Sequence, residues 1–297
     1  MILVDLSQIS IAAIMAAVGK HTNSEIELPI VRHLILNSVR SINSKFRDEY
    51  GELVICVDSK TNWRRGVFPY YKQARREAAA KSDTDWKQIF SCIKTVKDEL
   101  REFFPYKVIE VEGAEADDVI GTLVHSRNAM KEVWFGHGRD LSEKILIVSG
   151  DKDFIQLQIY PNVAQYDPTH TKAIKAHEDP ATYFREMIFR GDAGDGVPNV
   201  LSDDDTFVVP GKKQRPLTSK KLAALMDGTY VADEADRPVL KNIERNRTLI
   251  DLSQVPAAIT GAILEEFVSQ DPGDRSRILG YFMDHSLRLL VERIGDF

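Results

Sequence analysis

The 297-residue chain is 43% apolar and 28% charged, proportions that supply one large or two smaller buried cores and exclude disorder and collagen-like order. There is no uncharged apolar run of roughly eighteen residues, and the Met-Ile-Leu-Val-Asp opening lacks a basic n-region and a long apolar stretch. A cytoplasmic protein without a membrane segment or secretion signal is therefore expected. The formal charge of -6 would argue against nucleic acid only if it were spread evenly, and it is not.

In chain order, short apolar runs rich in Ile and Val occur at Ile2 to Val4, Leu53 to Val57, Lys107 to Val111 and Lys144 to Val148. Segments of helical period lie between them: Pro29 to Phe46, with Val31, Leu34, Ile35 and Val39 on one face; Trp86 to Phe103; and Ala116 onward through Val119, Ile120, Leu123 and Val124. Strands buried on both faces read as continuous apolar runs, so the predicted fold over residues 1–180 is α/β, an open, mostly parallel sheet flanked by helices. After Asp179-Pro180 strand signals fade, and helical patterns follow at Tyr183 to Phe189, Lys220 to Met226, Val239 to Ile250, Ala257 to Phe267 and Ile278 to Ile294. Residues 181–297 are expected to form a mainly helical C-terminal domain, with Leu201 to Pro216 as an exposed loop. Cys56 and Cys92 lack a C-x-x-C or His-rich partner and read as buried, inert thiols. Met187, Phe267 and Phe282 read as core, and His137, between two glycines, as a loop residue.

Two basic stretches stand out. Lys60, Arg64, Arg65, Lys72, Arg75, Arg76 and Lys81 face the single acid Glu77, and Lys212, Lys213, Arg215, Lys220 and Lys221 form the second. Either alone reads equally well as a solvated face. A helix starting near Pro69 would set Lys72, Arg75 and Arg76 at i, i+3 and i+4, one cationic face suited to phosphate. Among the interleaved aromatics, Trp63 and Phe68 read as packing, while Tyr70 and Tyr71 suit packing and base stacking equally. Lys212, Lys213, Lys220 and Lys221, near an N-cap at Thr218 or Ser219, suit a phosphate backbone. Arg64, Arg65, Tyr71 and Arg76 complete the expected nucleic-acid contacts.

The acids gather at strand ends. Asp5 ends the first run, Asp58 the second, and Asp151 and Asp153 closely follow the fourth. Glu115, Asp117 and Asp118 follow the third at a helix start, where unpaired amides and the helix dipole stabilise carboxylates. The crevice of an open parallel sheet lies outside the carboxyl ends of its strands, so these side chains should converge on one edge. Alone, each is an ordinary strand end or helix cap. Together, carboxylates about 4 Å apart repel by roughly 4 kcal/mol at an effective dielectric of about 20, so the set needs protons or a cation. Oxygen-only ligands select magnesium or manganese over zinc, and several carboxylates can hold two ions, as in-line phosphodiester hydrolysis requires. Gly191 to Pro198 adds Asp192 and Asp195 in a turn whose glycines allow close approach of a phosphate or ion.

Asp5 in Leu-Val-Asp-Leu-Ser-Gln, Asp58 in Cys-Val-Asp-Ser, Glu115 to Asp118 in Glu-Ala-Asp-Asp, Asp151 to Phe154 in Asp-Lys-Asp-Phe and Gly191-Asp192-x-x-Asp195 together resemble the flap endonuclease / 5'-nuclease family. Trp-Arg-Arg at 63–65, Tyr-Tyr-Lys at 70–72 and the ending Ile-Gly-Asp-Phe are most similar to its T-even-phage-type ribonuclease H branch. The resemblance implies a first metal among Asp5, Asp58, Glu115 and Asp117, and a second among Asp151, Asp153, Asp192 and Asp195, partly through water, with Asp118 serving either. It also implies a flexible arch over residues 60–85, with Lys72 and Arg75 at its base contacting the scissile phosphate or the 5' strand, and a duplex-binding C-terminal domain over residues 181–297.

The implied activity is that of a Mg2+-dependent, structure-selective 5' nuclease, with Mn2+ as a substitute, acting on RNA-DNA hybrids, DNA flaps and nicked duplexes in primer removal. Recognition is expected by shape. A monomer is expected, with a single-strand-binding protein or a clamp as candidate replication-fork partners; no clamp-binding tail precedes Asp5. Where the family continues Asn-Ile-Pro-Gly-Val-x-Gly-Ile-Gly, Gly196 here replaces Asn and Gly-x-Gly is absent, which argues against a potassium site of the kind some relatives carry. Two other readings are a metal-dependent phosphatase or receiver-like enzyme, for which Asp5-Leu-Ser lacks the expected Asp-x-Asp, and a non-catalytic protein that clamps flap or hybrid junctions.

Overall fold

The computed structural model describes residues 1–18, 27–134, 143–176, 179–231 and 238–297; His137 lies outside them. The strands are β1 (Ile2–Asp5), β2 (Leu53–Cys56), β3 (Lys107–Ile109), β4 (Ile145–Val148), β5 (Val163–Asp167) and β6 (Lys172–Ile174). They form one sheet in the order β3-β2-β1-β4-β5-β6, parallel except for the β5–β6 pair. The first four are the apolar runs visible in the sequence. Along them alternate residues divide between two cores: Ile2, Val4, Leu53, Ile55, Leu146 and Val148 face one side, and Leu3, Val54, Ile145 and Ile147 the other. That is the period of pleated backbone with both faces covered. β5 and β6 are not foreseen in the sequence, because β5 buries Gln165 and Asp167 and β6 is a three-residue edge strand beginning with Lys172.

The helices of the first half are α1 (Leu6–Val18), α2 (Leu28–Tyr50), α3 (Trp63–Val67), α4 (Gln73–Ala80), α5 (Trp86–Phe103) and α6 (Ala116–Trp134). α1, α2 and α5 cover the first face of the sheet and α6 the second. α7 (Pro180–Arg190), α8 (Ser219–Met226), α9 (Val239–Ile250), α10 (Ala257–Ser269), α11 (Ser276–Asp284) and α12 (Arg288–Val291) follow. α10 packs on α6, while Ile278, Tyr281, Phe282, Leu290 and Phe297 complete the first core. Cys56 and Cys92 are buried free thiols. Among the described residues no helix is long and apolar enough to cross a membrane.

Two helix expectations need correction. The pattern from Ile278 to Ile294 is not one helix: Ser286 takes a left-handed φ of 56°, the Leu287 amide donates to the Phe282 carbonyl at 2.9 Å and the Ser286 amide to that of Met283 at 3.1 Å. This double closure ends a helix, usually at glycine, whose absence hides it. It turns Leu287 and Leu290 inward, and Phe297 packs 5.3 Å from Phe282. The second correction is the cationic face. Lys72 precedes α4 at φ 53° and is not on the helix with Arg75 and Arg76.

The chain runs from β1 through β2 to β3 and then returns across β1 to β4, so strand order reverses between β1 and β4. A crevice opens beyond the strand ends at such a reversal.

Candidate metal centre

Asp5 closes β1 on one side of this crevice, its Oδ1 accepting from the Gln8 amide at 2.9 Å and its Oδ2 from Ser149 Oγ at 3.4 Å. Asp58, just past β2, caps α6 by accepting the Ala116 amide at 2.8 Å, which brings Glu115 and Asp117 to the same edge. Asp151 follows β4 and accepts the Asp153 amide at 3.0 Å. Asp192 and Asp195 arrive on the loop after α7, where Asp192 and Val197 form an isolated bridge. Gly191, at φ 70°, is required there: a Cβ would lie 2.4 Å from the Val197 carbonyl oxygen. One carboxylate oxygen from each of Asp153, Asp192 and Asp195 lies within 4.8 Å of the others.

Burial, then the charges of Asp58 and Asp151, pushes the Asp5 carboxyl up to about 7. Burial and Asp151 likewise raise Asp117 and Asp153, and burial with Asp195 raises Asp192. Glu115 goes the other way: burial would raise it, but Lys72 and Arg64 outweigh that and hold it low. Carboxyls that favour a proton this strongly favour a cation equally, because either relieves the same repulsion. With oxygen donors throughout and neither His nor Cys among them, the set fits a hard divalent ion.

Lys72 reaches into the cluster, its Nζ 2.7 Å from Glu115 Oε1 and 3.4 Å from Asp195 Oδ2. Its own amide donates to the Asp195 carbonyl at 2.7 Å. Arg75 lies 3.3 Å from Asp195 Oδ1 with 62% of its side chain exposed.

Four sequence expectations are corrected here. Asp118 is fully buried and faces away from the crevice: Arg64 Nη2 lies 2.8 Å from its Oδ1, while its Oδ2 accepts from Trp63 Nε1 at 3.1 Å and the Glu115 amide at 2.9 Å. It holds the acidic edge together, with both oxygens engaged away from the crevice. Arg64 is buried too, donating to the Leu249 carbonyl at 2.8 Å, so nucleic acid does not reach it. Tyr71 is buried with its hydroxyl 2.9 Å from Glu115 Oε2 and 2.8 Å from Asp195 Oδ2, joining the two acid groups and stacking on no base. Lys212 pairs with Asp203 at 2.8 Å and Asp205 at 2.5 Å within its own loop. By contrast Arg65, Arg76, Lys213 and Lys220 are exposed, and the Lys221 amide donates to Thr218 Oγ1, the cap of α8, at 3.3 Å. Trp63 and Phe68 pack as expected.

Gln156 is not foreseen in the sequence. Buried, it donates to the carbonyls of Asp153 at 2.8 Å and Ile250 at 3.1 Å and accepts the Leu252 amide at 2.9 Å, fixing the Asp153 turn against the end of α9. Its sequence signal is weak, one of two amides, with Gln158, in an apolar run.

The family model for the 5'-3' exonuclease N-terminal resolvase-like domain matches residues 1–185, and that for the T4 RNase H C-terminal region matches residues 182–297. Ribonuclease H of Enterobacteria phage T4 is 33% identical over 99% of this chain and 95% of its own length. DNA polymerase I of Bacillus subtilis is 26% identical over 82% of this chain and 27% of its length. In fold, the T5 D15 protein, co-crystallised with metal ions, superposes with a TM-score of 0.60 at 16% identity, covering 89% of this chain and 98% of that one. Sequence matches that together span the whole chain, on a fold whose reversal point gathers the acids those matches contain, make this protein a member of the 5'-3' exonuclease family.

Proposed function

We propose that the chain is a structure-selective 5'-3' nuclease that hydrolyses phosphodiesters of RNA-DNA hybrids and of 5' flaps or nicked duplex DNA, using two Mg2+ ions for which Mn2+ substitutes. The observation that carries this reading is the convergence of mutually repelling carboxyls at one sheet edge: buried Asp5 and half-buried Asp117, Asp153 and Asp192, with one oxygen each from Asp153, Asp192 and Asp195 within 4.8 Å of one another. Asp5, Asp58, Glu115 and Asp117 would hold one ion, and Asp151, Asp153, Asp192 and Asp195 the other. When bound, the ions acidify the attacking water and neutralise charge on the scissile phosphate.

The chain's own residues do the rest. Lys72 and Arg75 add positive charge at the phosphate, where charge grows in the transition state. Asp118, Arg64 and Tyr71 keep Glu115 in register. Lys213 and Lys220, exposed beyond the crevice, grip the duplex backbone without reading sequence.

Hydrolysis of a 5'-labelled RNA-DNA hybrid and of a 5' flap is expected with Mg2+ or Mn2+ and is abolished by chelation. Turnover of a generic phosphomonoester but of neither nucleic acid would replace this reading with a phosphatase, and binding without turnover would replace it with a clamp. Lys72→Ala is expected to lower kcat on the order of a hundredfold with little change in affinity. Lys213→Ala combined with Lys220→Ala should instead weaken binding and flatten its salt dependence by roughly 0.9 for each phosphate no longer neutralised. Parallel losses in the two variants would contradict this division.

A further inference from the structure

Asn242, Arg245 and Asn246 form a buried polar row at i, i+3 and i+4 on α9. All three face the backbone of residues 198–202, directly after the loop that carries Asp192 and Asp195. Arg245 Nη2 donates to the carbonyls of Pro198 at 2.8 Å and Asn199 at 3.3 Å, and Nη1 to that of Ser202 at 3.4 Å. Asn242 Nδ2 reaches the carbonyls of Val200 at 2.9 Å and Ser202 at 3.1 Å. Asn246 Nδ2 reaches those of Ile188 at 2.8 Å and Pro198 at 3.0 Å. The carbonyls of 198, 199, 200 and 202 therefore all turn inward, although no helix or strand ladder runs through these residues.

Inward carbonyls concentrate negative potential, and they need donors or a cation. We infer that Arg245 is the resident cation of this loop, a positioning residue whose guanidinium holds the 198–202 carbonyls as a bound monovalent ion would. A planar fork with five N–H groups serves three residues at once, which an ammonium does not, and it keeps its charge at every working pH. Asp204 supplies the counter-charge from the rim, its Oδ1 2.6 Å from Nη1, and the Phe68 ring lies 5.9 Å away.

What the guanidinium fixes reaches the proposed site in two directions. Upstream, the Val197 amide donates to the Asp192 carbonyl at 2.7 Å, and the Gly191 turn packs against the Pro198 carbonyl, so the acids of that loop inherit its position. Downstream, the Asn199 amide donates to Gln214 Oε1 at 2.8 Å and Asn199 Nδ2 to the Arg215 carbonyl at 2.9 Å, which sets the segment carrying Lys213. Because the cation is built in, loop order and duplex grip should not depend on which monovalent ion is in solution. The grip rests on the nuclease reading; loop order does not.

The test is thermal melting and RNA-DNA hybrid binding of the full chain, without divalent ions, in potassium, sodium and tetramethylammonium chloride at equal ionic strength. Wild type is expected to melt and bind alike in all three. Arg245→Ala should bind on the order of tenfold more weakly and should melt higher in potassium, or with added guanidinium, than in tetramethylammonium; Arg245→Lys should fall between. Wild-type melting that differs between potassium and tetramethylammonium overturns the inference, as does an Arg245→Ala protein indistinguishable from wild type. If Arg245→Ala does not fold, the wild-type comparison and Arg245→Lys still decide. If wild type binds no hybrid, the nuclease reading fails while the melting comparison stands.

Discussion

Asp117→Asn is expected to slow hydrolysis of a 5'-labelled RNA-DNA hybrid by on the order of a thousandfold or more, about 4 kcal/mol of transition-state stabilisation, while binding without divalent ions is kept or tightened. Asp117 sits at the start of α6 with its pKa raised first by burial and then by Asp151. The amide keeps the size of the side chain and removes one of the mutually repelling charges. Folding should therefore be unharmed and melting at neutral pH equal or higher, which separates loss of ligation from loss of structure. The phosphate backbone also meets one negative charge fewer. Asp153→Asn should behave alike, because its carboxyl is raised by burial and then by Asp151, Asp192 and Asp195. Single-turnover cleavage, hybrid binding and melting of the two variants decide the matter. Cleavage by both at the wild-type rate would remove these carboxylates from the reaction.

The strand-terminal acids were legible because two facts visible in the sequence fix their meeting point: each follows a continuous apolar run, and such runs make a parallel sheet whose ends share an edge. Asp5, Asp58 and Asp151 needed no knowledge of partners. Arg64, Tyr71 and Asp118 did. A sequence displays the charge of Arg64 but not the carboxylate that it meets from α6, so a buried clamp and a phosphate contact look identical until the chain is folded. The same holds for Lys212, although its partners Asp203 and Asp205 lie in its own loop. The row of Asn242, Arg245 and Asn246 was visible as polar residues at helical spacing, but its partners are backbone carbonyls, which no residue letter marks. The fold was more readable than its helix ends: the break at Ser286 uses a left-handed turn without glycine, and α4 begins after Lys72, whose backbone is held by the Asp195 carbonyl.

The same carboxyls make stability depend on pH and metal together. In the metal-free chain, melting temperature is expected to fall as pH rises from about 5 to about 8, and divalent cations are expected to restore it chiefly at the upper end. The Asp5 carboxyl moves from 3.8 in the unfolded chain to about 7 in the folded one, and Asp117, Asp153 and Asp192 are raised as well. Within the window between these values the folded state binds more protons than the unfolded state. The stabilisation is whole below the ordinary carboxyl range and is lost as pH climbs through the folded values. For Asp5 this amounts to on the order of 4 kcal/mol, at about 1.4 kcal/mol per tenfold change in proton affinity. Glu115 and Glu99, held low in the folded chain, lose their stabilisation only as pH falls below the ordinary range, so they do not offset the effect above it. His125 and the Met1 amine, whose pKa values burial lowers, work the other way, two groups against four. A divalent ion competes with protons for these oxygens, and at about a hundred times its Kd it would contribute about 2.7 kcal/mol. Melting in chelator should drop by on the order of 5–10 °C across the window, with most of the drop recovered in Mg2+ or Mn2+ at pH 8 and little change at pH 5. A metal-free profile that stays flat or rises, or a metal effect of equal size at both ends, would mean that these carboxyls do not share one charged pocket.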